Sequence, residues 1–161
     1  MTTVLVCGDR HLGERDYDYW RGFVFSTLDD VADHWGCDLI IEGCAKGADR
    51  LAGWPCPAMI KRTYSNPAKA LPGWAHERGI PVDHHPADWR RHGGCSCDPR
   101  TPHYATKCNF AGIRRNREML YEGKPDLVVA FHPTLATSRG TLDMVTLARK
   151  EGVPTFVFPH H

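Results

Sequence analysis

The sequence predicts an α/β protein: a doubly wound parallel sheet of about five strands, with helices on both faces and two cysteine-bearing insertions. Three observations lead there. Short continuous apolar runs rich in Val and Ile recur along the chain, helical patterns alternate with them, and glycine follows several of the runs. Strands apolar at consecutive positions are buried on both faces, and strands that alternate with helices pair in parallel.

Taken in order, residues 3–7 (TVLVC) form the first strand, ending at Gly8. Residues 16–35 form a helix with Trp20, Phe23, Leu28, Val31 and Trp35 available for one face. A second strand covers 37–42 and is closed by Gly43. The next helix begins over 49–53, where Pro55 and Pro57 interrupt it, and resumes over 74–78 with Gly79 as its C-cap. The third strand is 80–84, followed by a helix at 109–121, a strand at 126–131, a helix at 141–150 and a last strand at 154–158. At 161 residues the chain has the length of one domain. In such sheets ligands sit beyond the carboxyl ends of the strands, where strand order reverses.

Three glycine turns lie where strands hand over to helices, and they supply the candidate binding residues. The first carries Gly8, Asp9 and Arg10, the second Gly43, Ala45, Gly47 and Asp49, and the third Ser138, Arg139, Gly140 and Thr141. Glycine lets backbone approach a ligand, and the free N–H groups of a following helix hold an anion. Arg10 can pair with phosphate, while Ser138 and Thr141 offer hydroxyls and can also cap a helix. Asp49 suits either the helix macrodipole or a ribose. Arg115 and Asn116, on a helix starting near the same edge, extend the set, and the run Arg114, Arg115 and Arg117 is either a solvated face or a phosphate contact.

The succession VLVCGDR, IIEGCAKGADRLA, WAHERGIPV, HPADW, AGIRRNREML, PDLVVAF and SRGTLDM resembles the YspA-related branch of the SLOG superfamily. That superfamily includes the LOG cytokinin-activating phosphoribohydrolases, the DNA-processing protein DprA and sensor domains for nucleotide signals. The resemblance implies a Rossmann-like fold with a nucleotide-derived ligand at these turns, held by a sensor or sequestering module. It also carries an alternative, cleavage of the N-glycosidic bond of nucleoside monophosphates, with Arg115 and Asp143 as catalytic residues. Against the LOG motif PGGxGTxxE, however, Gly140 and Thr141 match while Ser138 and Arg139 replace the end of PGG, and Met144 stands at the glutamate. Oxocarbenium chemistry needs a carboxylate, which methionine cannot supply, so binding ranks ahead of hydrolysis.

Relative to the family pattern, residues 54–73 and 94–108 are insertions. They contain Cys56, Cys95, Cys97 and Cys108, four of seven cysteines. These four are the expected ligands of a structural zinc, with His103 and His92 in reserve; four protein donors leave no open position for catalysis. Cys7, Cys37 and Cys44, in or beside strands, read as small buried thiols.

The balance of 20 basic and 19 acidic residues argues against a protein held to nucleic acid by phosphate charge, which disfavours a DprA-like role. Apolar runs are strand-length, so no membrane partner is expected. With no basic and apolar leader at its start, the expected location is cytoplasmic. Self-association into a homo-oligomer is left open, and His160 and His161 receive no function.

Overall fold

The computed structural model describes residues 1–57 and 71–159. Five strands, β1 (Thr3–Gly8), β2 (Leu39–Glu42), β3 (Val82–His84), β4 (Leu127–Phe131) and β5 (Thr155–Phe158), form one sheet in the order β3-β2-β1-β4-β5. Every pairing is parallel. The order reverses at β1: the chain winds outward through β2 and β3, then returns to pair β4 on the other side of β1.

Side chains alternate along each strand and divide the core in two. On one face Val4, Val6, Ile40, Leu127, Val129 and Phe131 pack with helices α1 (Tyr17–Trp35), α2 (Ala48–Gly53) and α3 (Trp74–Arg78). On the other, Leu5, Cys7, Ile41, Val128 and Ala130 meet α4 (Ala111–Tyr121) and α5 (Arg139–Lys150). The in-register pairs Val4 with Leu127 and Leu5 with Val128 explain why each strand contributes to both layers. The sheet is therefore doubly wound, as the sequence predicts.

The elements form where the residues dictate. Helix α1 buries Val24, Phe25, Leu28 and Val31 at helical spacing, while Trp35 of the expected face stays exposed at its end and rests edge-on against Phe156. Helix α3 stops at Gly79, whose φ of +68° is left-handed and suits glycine. Helix α5 starts at Arg139, two residues ahead of the expected start, because the Ser138 side chain caps it by accepting from the Thr141 N–H at 3.2 Å. Of the insertion expected at 54–73, residues 58–70 lie outside the described residues, as do His160 and His161. Among the described residues no helix is long and apolar enough to cross a membrane.

Candidate functional site: the carboxyl edge and its two cysteine clusters

At the end of β1, Gly8 fits a space that no side chain can share: a Cβ there would lie 2.2 Å from the Phe131 carbonyl oxygen and 2.7 Å from the Ala48 Cβ. The Asp9 N–H donates to that same Phe131 carbonyl at 2.8 Å, so the turns after β1 and β4 begin side by side. Arg10 is exposed, and its neighbour His11 is held by its N–H to the Asp9 carboxylate at 2.8 Å.

The turn after β2 satisfies itself. Asp49 is buried, and its Oδ2 accepts from the Gly43 N–H at 2.9 Å and the Ala45 N–H at 3.3 Å. Arg115 donates to the Gly43 carbonyl at 2.5 Å, and a Cβ on Gly43 would sit 2.3 Å from that guanidinium. Gly47 has φ +73°, and a Cβ there would lie 2.1 Å from the Asp9 carbonyl oxygen, which accepts from Ala48 N–H at 3.2 Å. Gly43, Ala45, Gly47 and Asp49 thus have partners within the protein. Burial, then the nearby Glu42 carboxylate, push the Asp49 carboxyl up to about 7 against the pull of Arg115.

The turn before α5 is different. Arg139 and Gly140 are exposed, and a Cβ built on Gly140 meets nothing within 4 Å. Asn116, buried on α4, donates to the Gly140 carbonyl at 3.0 Å and to the Asp143 carboxylate at 3.1 Å, which fixes this helix start against its neighbour. Met144 is fully buried in the core between the sheet and α5.

The three arginines of α4 separate as helix geometry requires. Arg115 reaches the β2 turn, Arg117 is exposed with its guanidinium on the Ile113 carbonyl at 3.3 Å, and Arg114 serves the second insertion. Arg114 donates to the Gly93 carbonyl at 2.7 Å, to the Arg91 carbonyl, and to the Cys108 sulfur at 3.5 and 3.6 Å.

In that insertion and just before it, His92, Cys95, Cys97 and Cys108 bring one donor atom each within 4.8 Å of one another, an arrangement that could hold a metal ion. Zinc–sulfur bonds of about 2.3 Å at tetrahedral angles separate sulfurs by about 3.8 Å. Cys97 and Cys108 stand 4.0 Å apart, and Cys95 Sγ is 3.4 Å from His92 Nδ1. The ring is oriented from behind: His92 Nε2 donates to the Tyr104 carbonyl at 2.5 Å and the two rings stack at 3.7 Å, which leaves Nδ1 facing the sulfurs. The Asn109 N–H points at Cys97 Sγ at 3.2 Å and the Phe110 N–H at Cys108 Sγ at 3.4 Å, donors suited to thiolates. Hydrogen bonds from the Cys97 backbone, the His92 ring and the Gly93 backbone bring the Cys95 thiol down to about 6.

Two expectations are corrected. Cys56 does not join this cluster, because it forms a disulfide with Cys44; His92 takes the fourth place, and His103 is not among the grouped donors. Cys44 is consequently not the free buried thiol that its place after a strand suggests. The physical reason is chain path: α2 ends at Gly53 and returns Cys56 to the end of β2, on the side of the sheet away from α4. A second group of donors, Glu42, Cys44, Cys56 and His84, gathers there within the same 4.8 Å limit. Sequence reading missed it, although Glu42 and His84 each close a strand.

The fold and this edge define a Rossmann-like α/β domain with a Cys/His cluster in the loop that leads into α4. No protein-family model, no curated protein and no solved structure matches the chain.

Proposed function

We propose that the protein binds a nucleotide-derived ligand where strand order reverses between β1 and β4, as a sensor or sequestering module, and that His92, Cys95, Cys97 and Cys108 hold a structural zinc. The observation that carries the binding reading is Gly140. Alone among the expected turn glycines, it faces open space, at the start of a twelve-residue helix and beside exposed Arg139. An anion there would meet backbone N–H groups, the positive end of the α5 dipole and a guanidinium. Arg10 lies on the adjacent turn. The resemblance to SLOG proteins supports a nucleotide over other anions.

Hydrolysis has less support. Met144 occupies the glutamate position and lies inside the core, while the Asp143 carboxylate already accepts from Asn116. Zinc is supported by three thiols and one oriented imidazole whose donor atoms lie within 4.8 Å of one another, a closed set without room for a substrate. Its role is to order the loop that leads into α4.

The test is equilibrium binding of a panel of nucleoside mono- and diphosphates to wild type and Gly140→Val, with base release followed in parallel. Retained binding in wild type, weakened binding in a folded Gly140→Val protein and negligible base release are expected. Undiminished affinity in the variant would remove the ligand from this turn, and robust turnover lost in Arg115→Ala and Asp143→Asn would move hydrolysis to first place.

A further inference from the structure

The donors at the ends of β2 and β3 form a cluster that the binding reading does not use. Glu42 and His84 are in-register partners on adjacent parallel strands, so their side chains rise from the same face. Glu42 is 1% exposed. Space for it is made by Gly53, where a Cβ would fall 2.6 Å from Glu42 Cγ. Its Oε2 accepts from the Cys44 N–H at 2.7 Å, its Oε1 meets His84 Nδ1, and Cys44 Sγ lies 3.5 Å from Oε1. Cys44 turns back over the strand end with φ +56°, and Cys56 arrives from beyond α2. Two sulfurs, an imidazole and a carboxylate are therefore packed together, three of the four residues buried and His84 half-buried.

We propose that reduction of the Cys44–Cys56 disulfide turns Glu42, Cys44, Cys56 and His84 into a second closed metal site, for a zinc-class divalent cation. Disulfide sulfurs are poor ligands, whereas two thiolates with an imidazole and a carboxylate suit a borderline-soft tetrahedral ion rather than magnesium or calcium. The reductant is a dithiol, which becomes a cyclic disulfide as Cys44 and Cys56 each gain a hydrogen. The metal then takes the place of one proton on each thiol, and both protons leave to solvent. In either state the end of α2 stays tied to the β2 turn, first by a covalent bond and then through the ion. The residues of this site are distinct from the His92 cluster, so its occupancy is independent of the zinc proposed there.

The experiment uses the full chain, oxidised or reduced with a trialkylphosphine. Phosphine, disulfide and water give phosphine oxide and two thiols without adding a competing thiol. Each sample is loaded with zinc, freed of excess, and its metal measured by elemental analysis; cobalt(II) loading reports thiolate ligation by its charge-transfer absorption. The readout is the difference between the two states, whatever the His92 cluster holds. Reduction should add one equivalent in wild type, with new thiolate-to-cobalt absorption, and nothing in Cys44→Ser/Cys56→Ser. His84→Ala should also lose the added equivalent, and its partial exposure makes it the variant that decides if the double serine protein fails to fold. Equal metal content in oxidised and reduced wild type would overturn the proposal, as would an added equivalent that survives either variant.

Discussion

Gly8 closes β1 and Gly140 lies in the first turn of α5, and a methyl group at each meets opposite surroundings. At Gly8 it would overlap the Phe131 carbonyl and Ala48, and overpacking of this kind costs about 1–3 kcal/mol. Gly8→Ala should lower the urea midpoint accordingly. Gly140→Ala has open space and replaces a poor helix former, so stability should hold or rise by up to about 1 kcal/mol. A loss comparable to that of Gly8→Ala would contradict the open turn. Met144 gives a third case at this scale. Restoring the glutamate of the LOG pattern would bury a carboxylate among Leu5, Ile41 and Val145, so Met144→Glu should unfold the protein or lower its melting point sharply rather than create a hydrolase.

Asp49 links a residue to a pH range. Its folded value near 7 lies above the ordinary carboxylate value of about 4, so the native state keeps a proton that the unfolded chain has already released. Stability contributed by this group is present at low pH and falls as pH rises through that window. Urea midpoints measured from pH 4.5 to 7.5 should decline more steeply in wild type than in Asp49→Asn, where the slope should flatten. Identical slopes would show that Asp49 ionises normally.

At the scale of elements, two attachments hold α4. Its amino end is tied to the second insertion through Arg114, and its middle to the end of β3 through His85, whose ring nitrogens meet Asp83 and Glu118 at 2.8 Å each. Burial opposes a charge on His85, but the two carboxylates outweigh it and raise its pKa. That stabilisation is complete below the unfolded value of about 6.5 and fades as pH rises through the folded one. Glu118→Gln should lower the midpoint of the His85 ring resonances in an NMR titration. The other attachment depends on metal. Chelation should speed hydrogen exchange in the loop carrying Cys95, Cys97 and Cys108 before it affects β1 or β4, because the sheet has its own apolar core.

Legibility in the sequence differed among these elements for physical reasons. The strands around β1 and β4 were plain because they are buried on both faces and read as unbroken apolar runs. Strand β3 shrank from the expected 80–84 to Val82–His84, a half-buried edge with less to signal it. Three of the four donors of the Cys/His cluster were visible as cysteines in one loop. The fourth is one of the two reserve histidines, and that it is His92 and not His103 depends on a ring turned by a carbonyl twelve residues away; Cys56 pairs elsewhere because only the path of α2 decides which sulfur it meets. The Glu42 and His84 pairing depends on strand order and register, which local sequence does not encode. Likewise, glycine at a turn is visible, but whether it faces protein, as Gly8 does, or open space, as Gly140 does, follows only from packing.

Across the whole molecule, the sheet is organised around β1, which pairs β2 on one side and β4 on the other. The register of Val4 with Leu127 through Gly8 with Phe131, and the Thr3 N–H bonded to the Asp126 carboxylate, join residues 123 positions apart in sequence. A ribosome releases β4 more than a hundred residues after β1, so the strand at the heart of the fold waits through that stretch of translation with one hydrogen-bonding edge unpaired. Long-range pairing of this kind slows folding and leaves apolar strand edges open to other chains meanwhile. The nascent protein should therefore depend on being shielded until β4 emerges, and truncation before β4 should yield aggregate instead of a smaller folded domain.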